Sequence, residues 1–197
     1  MVKVLASLPP PATLERICKG IATLDAMLSE DWERRYYSFD ASWDKKAKCR
    51  MASMRNGSGD DWFIVFTPAG AFVKSFWHEY KPESVDAIYA GLPRSLAKQR
   101  REDAFMIEDG VTFGGYHDGV TWVLRGNAKP LAEELAILSG DPAAYRSYVA
   151  AYFEQKIPLA AVEHVLAGKK LDAKLVGRIT KDQTLADLKS ELADIGY

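Results

Sequence analysis

The chain has 197 residues, which suits one large domain and is long enough to bury a hydrophobic core without disulfide or metal cross-links. Hydrophobic residues make up 48% of it and charged residues 27%, which excludes an intrinsically disordered chain. Lys and Arg number 26 against 27 Asp and Glu, which excludes a general electrostatic attraction to nucleic acid or to an anionic membrane.

The cysteine spacing and the apolar runs predict a soluble, cytoplasmic protein. Cys18 and Cys49 stand alone without a CxxC spacing, and two thiols cannot build the disulfide framework of a small secreted domain. The first residues, MVKVLASLPPP, hold only a brief apolar run before three prolines, which is too short for the core of a signal peptide. No apolar run approaches the roughly 20 residues that a bilayer-spanning helix requires.

The first predicted elements in chain order are a helix and four strands. Thr13 is placed to cap a helix in which apolar residues recur at helical spacing up to Leu28. After Trp32, short aromatic and β-branched runs between turn residues are typical of strands. The predicted strands span residues 35–39, 49–55, 62–67 and 71–77. The stretch TPAG at 67–70 provides the proline and the glycine that close a hairpin.

The middle of the chain is predicted to hold one helix and three further strands. The helix begins around Pro82 and carries apolar residues as far as Leu92. The three strands span residues 105–108, 111–116 and 120–125. The Asp118-Gly119 pair favours a hairpin reversal between the last two of them.

The last third of the chain follows a helical pattern. Asp141 and Pro142 fit the cap and the first position of a helix whose apolar stripe covers residues 145–153. Pro158 opens the next helix. Short helices are also predicted at 131–138, at 171–179 and, capped by Thr184, at the C-terminus.

Together these elements predict an α+β fold, with an N-terminal helix and an antiparallel sheet of about six or seven strands connected by hairpins. The helical C-terminal third is expected to pack on one face of the sheet. Residues 1–128 would form the helix and the sheet, and residues 129–197 a helical segment of the same domain. The strands do not alternate regularly with helices, which argues against a parallel, nucleotide-binding sheet.

The glycine-rich stretch SMRNGSGDD at 53–61 is interpreted as a hairpin turn. A phosphate-binding loop needs glycines followed by a helix, whereas this stretch leads into a strand and adds two carboxylates that would repel a phosphate. The acids also lack the alternate spacing of a calcium-binding loop. Asn-Gly followed by a second glycine is typical of a strand reversal.

This turn predicts a polar cluster at one end of the sheet. If residues 67–70 close the next hairpin, the two aspartates after the turn come to lie opposite the end of the following strand. An arginine enters the turn from the preceding strand. The predicted site residues are Arg55, Asp60, Asp61, Trp77, His78 and Glu79.

Three interpretations of this cluster remain open. It could be a solvated strand end with incidental ion pairs. It could be a binding surface in which Trp and Arg are anchors and carboxylates form the rim. It could also be the site of a small hydrolase, in which His78 is the base and Glu79 or Asp60 orients it.

The sequence contains no pattern for a metal site, a cofactor or a nucleophile, so none is predicted. His117 lies in a turn and is expected to be exposed, and His164 has no second ligand at helical spacing. No GxSxG elbow is present. An exposed apolar stripe at residues 145–153 would instead indicate a homodimer.

Three stretches resemble an uncharacterised family of bacterial cytoplasmic proteins of similar length: RRYYSF at 34–39, MASMRNGSGD at 51–60 and FWHE at 76–79. The resemblance covers the N-terminal helix and the first part of the sheet well, and the C-terminal helices only loosely. It implies a bacterial, cytoplasmic protein, but no established activity, cofactor or catalytic residue. Small α+β proteins of this kind also resemble immunity proteins that neutralise toxins.

The leading hypothesis is therefore a non-catalytic binding protein, of the immunity type, that binds a toxin or another protein partner through this end of the sheet. A small hydrolase is the alternative. Nucleic acid and membranes are not expected as partners, and the protein is expected to be a monomer or a homodimer.

Overall fold

One antiparallel sheet organises the computed structural model, which describes residues 8–197. Within this range the strands are β1 (Tyr37–Asp44), β2 (Cys49–Arg55), β3 (Asp61–Thr67), β4 (Gly70–Phe76), β5 (Phe113–His117) and β6 (Trp122–Gly126). Their order in the sheet is the order of the chain, so that each strand pairs with the next one. The predicted α+β class is confirmed, with six strands in the described part of the chain. The first seven residues, on which the signal-peptide expectation depends, lie outside the described residues.

Helices cover one face of the sheet. The N-terminal helix α1 (Pro11–Leu28) packs there with the helices of the C-terminal part. Those are α3 (Ala132–Leu138), α4 (Pro142–Tyr152), α5 (Leu159–Leu166), α6 (Ala173–Ile179) and α7 (Lys189–Ile195). One hydrophobic core combines apolar side chains of α1, of the sheet and of these helices. The predicted packing of the C-terminal helices on one face is confirmed. No helix in residues 8–197 combines the length and the apolarity that a membrane crossing needs.

The long connection between β4 and β5 covers the opposite face. It contains the short helix α2 (Val85–Ile88), followed by single turns of 3-10 helix. Its side chains Tyr89 and Phe105 stack against Phe72, which forms a second, smaller core. The sheet is therefore buried on both faces, and alternate side chains of each strand belong to different cores.

The strand predicted at 105–108 is wrong, because this segment forms 3-10 turns. Phe105 and Ile107 are both buried, but they are buried beneath turns and pair with no strand. Met106, between them, has a left-handed backbone with φ of 46°. The helix predicted to reach Leu92 is also shorter and ends at Ile88.

The predicted hairpins are confirmed. Residues 56–60 connect β2 to β3, and Gly57 and Gly59 have φ of 73° and 98°, which residues with a side chain rarely adopt. Thr67 pairs with Gly70 across the next reversal. Asp118 and Gly119 lie in the loop between β5 and β6, although β6 begins only at Trp122.

The helix starts agree with the sequence only in part. Asp141 caps α4 by accepting a hydrogen bond from the N–H of Ala143 at 2.8 Å, as predicted. The predicted Thr13 cap is wrong, because α1 already begins at Pro11, where proline needs no hydrogen-bond acceptor. The predicted Thr184 cap is also wrong for α7, which begins at Lys189.

Candidate functional site

The turn between β2 and β3 brings Asp60 against His78, which follows β4. One carboxylate oxygen of Asp60, Oδ1, lies 2.7 Å from His78 Nδ1 and accepts a hydrogen bond from the His78 backbone N–H at 2.9 Å. The other oxygen, Oδ2, accepts from the side-chain amide of Asn56 at 2.7 Å. The predicted proximity of Asp60 and His78 is therefore present, and Asn56 joins them.

Asn56 shapes the turn that presents this pair. Its side-chain oxygen accepts hydrogen bonds from the backbone N–H of Ser58 at 2.9 Å and of Asp60 at 3.2 Å. An asparagine that bonds to the backbone two residues on is the usual way in which a short polar side chain fixes a turn. The glycine-rich stretch is therefore an ordered platform for Asp60.

The hydrogen bonds favour the charged form of Asp60. Burial opposes ionisation of its carboxyl group, but bonds from the His78 backbone, the Asn56 amide and the His78 ring outweigh that effect and lower its pKa. The side chain is only 10% exposed, so these bonds act in an environment with little water.

The His78 ring is held at one nitrogen and open at the other. Because an ionised carboxylate only accepts hydrogen bonds, Nδ1 carries the hydrogen in this contact. Nε2 has no hydrogen-bond partner among the described residues, and the side chain is 47% exposed. Nε2 can therefore accept a hydrogen bond from a partner or a substrate.

Asp61 lies in a different environment from Asp60. Its Oδ1 is 2.7 Å from Nζ of Lys74, whose side chain is 1% exposed on the face of the sheet that carries Phe63. Burial raises the pKa of Asp61, and the Lys74 contact opposes this. Arg55 stacks on the Phe63 ring at 5.2 Å from its centroid. The structure therefore divides the predicted cluster, since Arg55 and Asp61 belong with Lys74.

The remaining two predicted site residues flank His78. Trp77 is half-buried, donates a hydrogen bond from its indole Nε1 to Ser75 Oγ at 2.9 Å, and packs against the helical core. Glu79 is exposed and accepts no hydrogen bond from the described residues. Asp60, Trp77, His78 and Glu79 are called the sheet-end surface from here on.

Sequence reasoning missed a groove between α3 and α4 that lies at the same end of the sheet. It has a volume of about 580 Å³, and tyrosine rings and carboxylates line it. The side chains that give it this character are Tyr36, Glu133, Glu134, Tyr148 and Tyr152. The spacing of tyrosines on α4 was visible in the sequence, but it was interpreted only as an apolar stripe.

Glu134 connects this groove to the sheet. Its carboxylate accepts hydrogen bonds from the Tyr37 hydroxyl and from the Trp62 indole N–H, each at 3.0 Å. Burial raises the pKa of Glu134, and these two bonds oppose the rise. Tyr37 and Trp62 both pair with Met54, two residues before the turn that carries Asp60. The groove and the sheet-end surface thus belong to one end of the sheet.

A second buried carboxylate, Asp25 on α1, fixes the tyrosines behind the groove. It accepts hydrogen bonds from the hydroxyls of Tyr145 and Tyr148 at 2.7 and 3.2 Å, and from the backbone N–H groups of Tyr36 and Tyr37. Burial raises the pKa of Asp25 to about 7, against the effect of these bonds. Tyr145 and its neighbour Val149 are fully buried, so much of the stripe at 145–153 packs inside the protein.

The other titratable side chains considered in the sequence analysis lie outside the sheet-end surface. His117 is buried, contrary to the expectation, because its ring packs edge-on against Trp122 and accepts a hydrogen bond from Gly119. Cys18 is also buried, which raises the pKa of its thiol. In residues 8–197 no three histidine, cysteine or acidic side chains are grouped as metal ligands.

Comparison of the chain with protein-family models, with curated proteins and with solved structures gives no match. Roles for these residues therefore rest on their own chemistry and geometry.

Proposed function

We propose that the protein is a non-catalytic binding protein of the bacterial cytoplasm, and that a protein partner binds to the sheet-end surface. The observation that carries this proposal is the two-point contact of Asp60 with His78. It fixes both the backbone and the ring of a half-exposed histidine while leaving Nε2 free.

Fixed side chains make good binding contacts for a physical reason. A partner that contacts a mobile side chain loses about 0.5–1.5 kcal/mol to its ordering, and a side chain that is already held avoids most of this loss. Half-buried Trp77 adds the exposed part of its indole ring beside His78, and exposed Glu79 adds a charge at the rim. Aromatic anchors with a polar rim are typical of protein interfaces.

The partner class that we propose is a toxin that this protein neutralises, as an immunity protein does. The support is the combination of an α+β scaffold, a preorganised polar and aromatic surface, and the resemblance of the sequence to bacterial proteins. A toxin partner would inhibit growth when produced alone and would be harmless when produced together with this protein.

Affinity capture from the native host tests the proposal. Wild-type protein is compared with His78→Gln, which removes the ring, and with His164→Gln, which changes a histidine on α5. We expect one partner in stoichiometric amounts with wild type and with the α5 variant, and at least about tenfold less with His78→Gln, the loss expected when a central contact worth about 1.4 kcal/mol is removed. Equal capture by all three proteins would contradict the proposal.

A small hydrolase is a second candidate, because the 2.7 Å contact of Asp60 with Nδ1 is also the arrangement that orients a histidine base. The pair would act without Glu79, whose side chain forms no hydrogen bond or ion pair with His78. Four cavities of 310 to 740 Å³ are lined by other residues than Asp60 and His78. Turnover of p-nitrophenyl acetate or bis(p-nitrophenyl) phosphate that His78→Gln abolishes would favour the hydrolase; equal background rates favour binding.

A further inference from the structure

We propose that the groove between α3 and α4 binds a small organic cation, namely an aliphatic amine or guanidine in its charged form. This proposal is independent of the sheet-end surface, because it depends on other residues. It starts from the shape of the groove, whose volume of about 580 Å³ falls within the usual range of small-molecule sites.

Aromatic rings line part of the groove. The rings of Tyr36 and Tyr152 have their centroids 4.0 Å apart, and the rings of Tyr148 and Tyr152 stack at 5.7 Å with an angle of 10° between their planes. The face of an aromatic ring carries a negative electrostatic potential, so a cation within about 6 Å of the centroid is attracted to it. The rings pack on one another, and the part of the cluster that lines the groove provides aromatic surface that favours ammonium and guanidinium groups.

Carboxylates form the opposite wall. Glu133 and Glu134 both lie on α3 and line the groove, whereas its described lining contains no lysine, arginine or histidine. Glu134 is hydrogen-bonded only to neutral groups, the Tyr37 hydroxyl and the Trp62 indole, and neither glutamate forms an ion pair with the described residues. Glu133 is exposed, but Glu134 is partly buried, and a carboxylate with reduced access to water is normally paired with a cation. A bound cation would supply that missing charge.

These two walls also define what the groove excludes. An anion would meet two like charges, and a neutral apolar molecule would leave the carboxylates without a partner while it removed water from them. A short alkyl chain with one charged end fits better, because the chain can contact Ala144 and Ala151 on α4 while the charge faces Glu134. The occupant assigned to the groove is therefore a free amine or guanidine.

Titration of the full chain with simple probes tests this assignment. Butylammonium chloride and butylguanidinium chloride are added at constant ionic strength, and butanol and sodium butyrate are the neutral and anionic controls. Binding is followed by ¹H–¹⁵N NMR shifts of residues on α3 and α4. We expect saturable, one-site binding of both cations in the millimolar range and none of the controls.

Matched variants locate the site. Glu134→Gln removes the charge but keeps an oxygen that accepts from Trp62, and we expect it to weaken binding about tenfold, whereas Glu163→Gln on α5 leaves binding unchanged. Tyr152→Leu removes a ring and is expected to weaken binding about fivefold, while Tyr152→Phe retains the affinity of the wild type. Urea unfolding of each variant shows whether it is folded.

Three results would contradict the assignment of a small organic cation to the groove. Butanol binding as tightly as butylammonium, or Glu134→Gln binding the amine like wild type while folded, would overturn the proposal. So would binding of a lysine within a blocked Gly-Lys-Gly peptide but of neither free cation, since the groove would then receive a side chain of a macromolecule. Loss of partner capture by His78→Gln does not bear on any of these outcomes.

Discussion

At the residue scale, Asp25 has the least usual position in the protein. It is fully buried near the C-terminal end of α1, where the helix dipole disfavours a negative charge, and it has no ion pair with the described residues. Its two oxygens accept hydrogen bonds from two tyrosine hydroxyls and two backbone N–H groups, which join α1 to α4 and to the start of β1. The cost of burying this carboxylate is thus compensated by four donors.

The raised pKa of Asp25 predicts how stability depends on pH. Its carboxyl group has an ordinary pKa of 3.8 and a pKa of about 7 in the folded protein, so the folded state holds the proton more tightly than the unfolded chain. The resulting stability is present in full below the lower value and is lost as pH rises toward 7. Three pKa units correspond to a contribution on the order of 4 kcal/mol.

Asp25→Asn, which cannot ionise, should remove this dependence. We expect the free energy of unfolding of wild type, measured with urea between pH 4 and pH 8, to fall with pH more steeply than that of the variant. Taking the difference cancels the titration of every group that both proteins share. Parallel pH profiles of wild type and Asp25→Asn would contradict the account of this residue.

At the element scale, the hairpins were predictable and the long connection was not. Reversals at Pro68-Ala69 and at Asp118-Gly119 follow from residues whose own backbone preferences select a turn. The segment around Phe105 carries a short apolar run, Ala104 to Ile107, as a buried strand can, but tertiary packing under the sheet holds it in 3-10 turns. A short apolar run by itself does not distinguish a strand from 3-10 turns that are buried on one side.

The candidate site, too, was predictable only where it depends on the hairpins. Counting along the hairpins was enough to place Asp60 near His78, because strand register determines which residues face each other. The same count did not separate Asp61, although alternation along β3 places it on the other face from Trp62. Buried Lys74, between Phe72 and Phe76 on β4, was the sequence signal for its partner. The α3–α4 groove depends on helix packing, which no spacing in the sequence specifies.

Asp60 joins the β2–β3 turn to the segment after β4, whereas Glu79 forms no such bond. We therefore expect the two residues to differ in their contribution to the free energy of unfolding. Asp60→Ala leaves the His78 backbone N–H and the Asn56 amide without their acceptor, and we expect a loss of about 1–2 kcal/mol in the free energy of unfolding. Glu79→Ala should change it by less than about 0.5 kcal/mol, as is usual for an exposed residue. Urea unfolding at pH 7 measures both, and equal losses would show that Asp60 does not hold the turn.

At the scale of the whole molecule, the sheet-end surface and the α3–α4 groove lie at the end of the sheet that carries the β2–β3 turn. The sheet is covered by helices on one face and by the β4–β5 connection on the other, so both of its faces are buried in hydrophobic cores. The sheet-end surface and the α3–α4 groove share this end through Met54, Trp62 and Glu134. A rigid, doubly covered sheet holds both in fixed positions.

Site-specific photo-crosslinking in the native host tests the binding surface most directly. Glu79→p-benzoyl-phenylalanine places the crosslinker beside His78, and Glu163→p-benzoyl-phenylalanine places it at an exposed position of α5 as a control. The account predicts one discrete crosslinked partner from position 79, its loss when His78→Gln is added, and none from position 163. Crosslinking of the partner from position 163 but not from position 79 would contradict it.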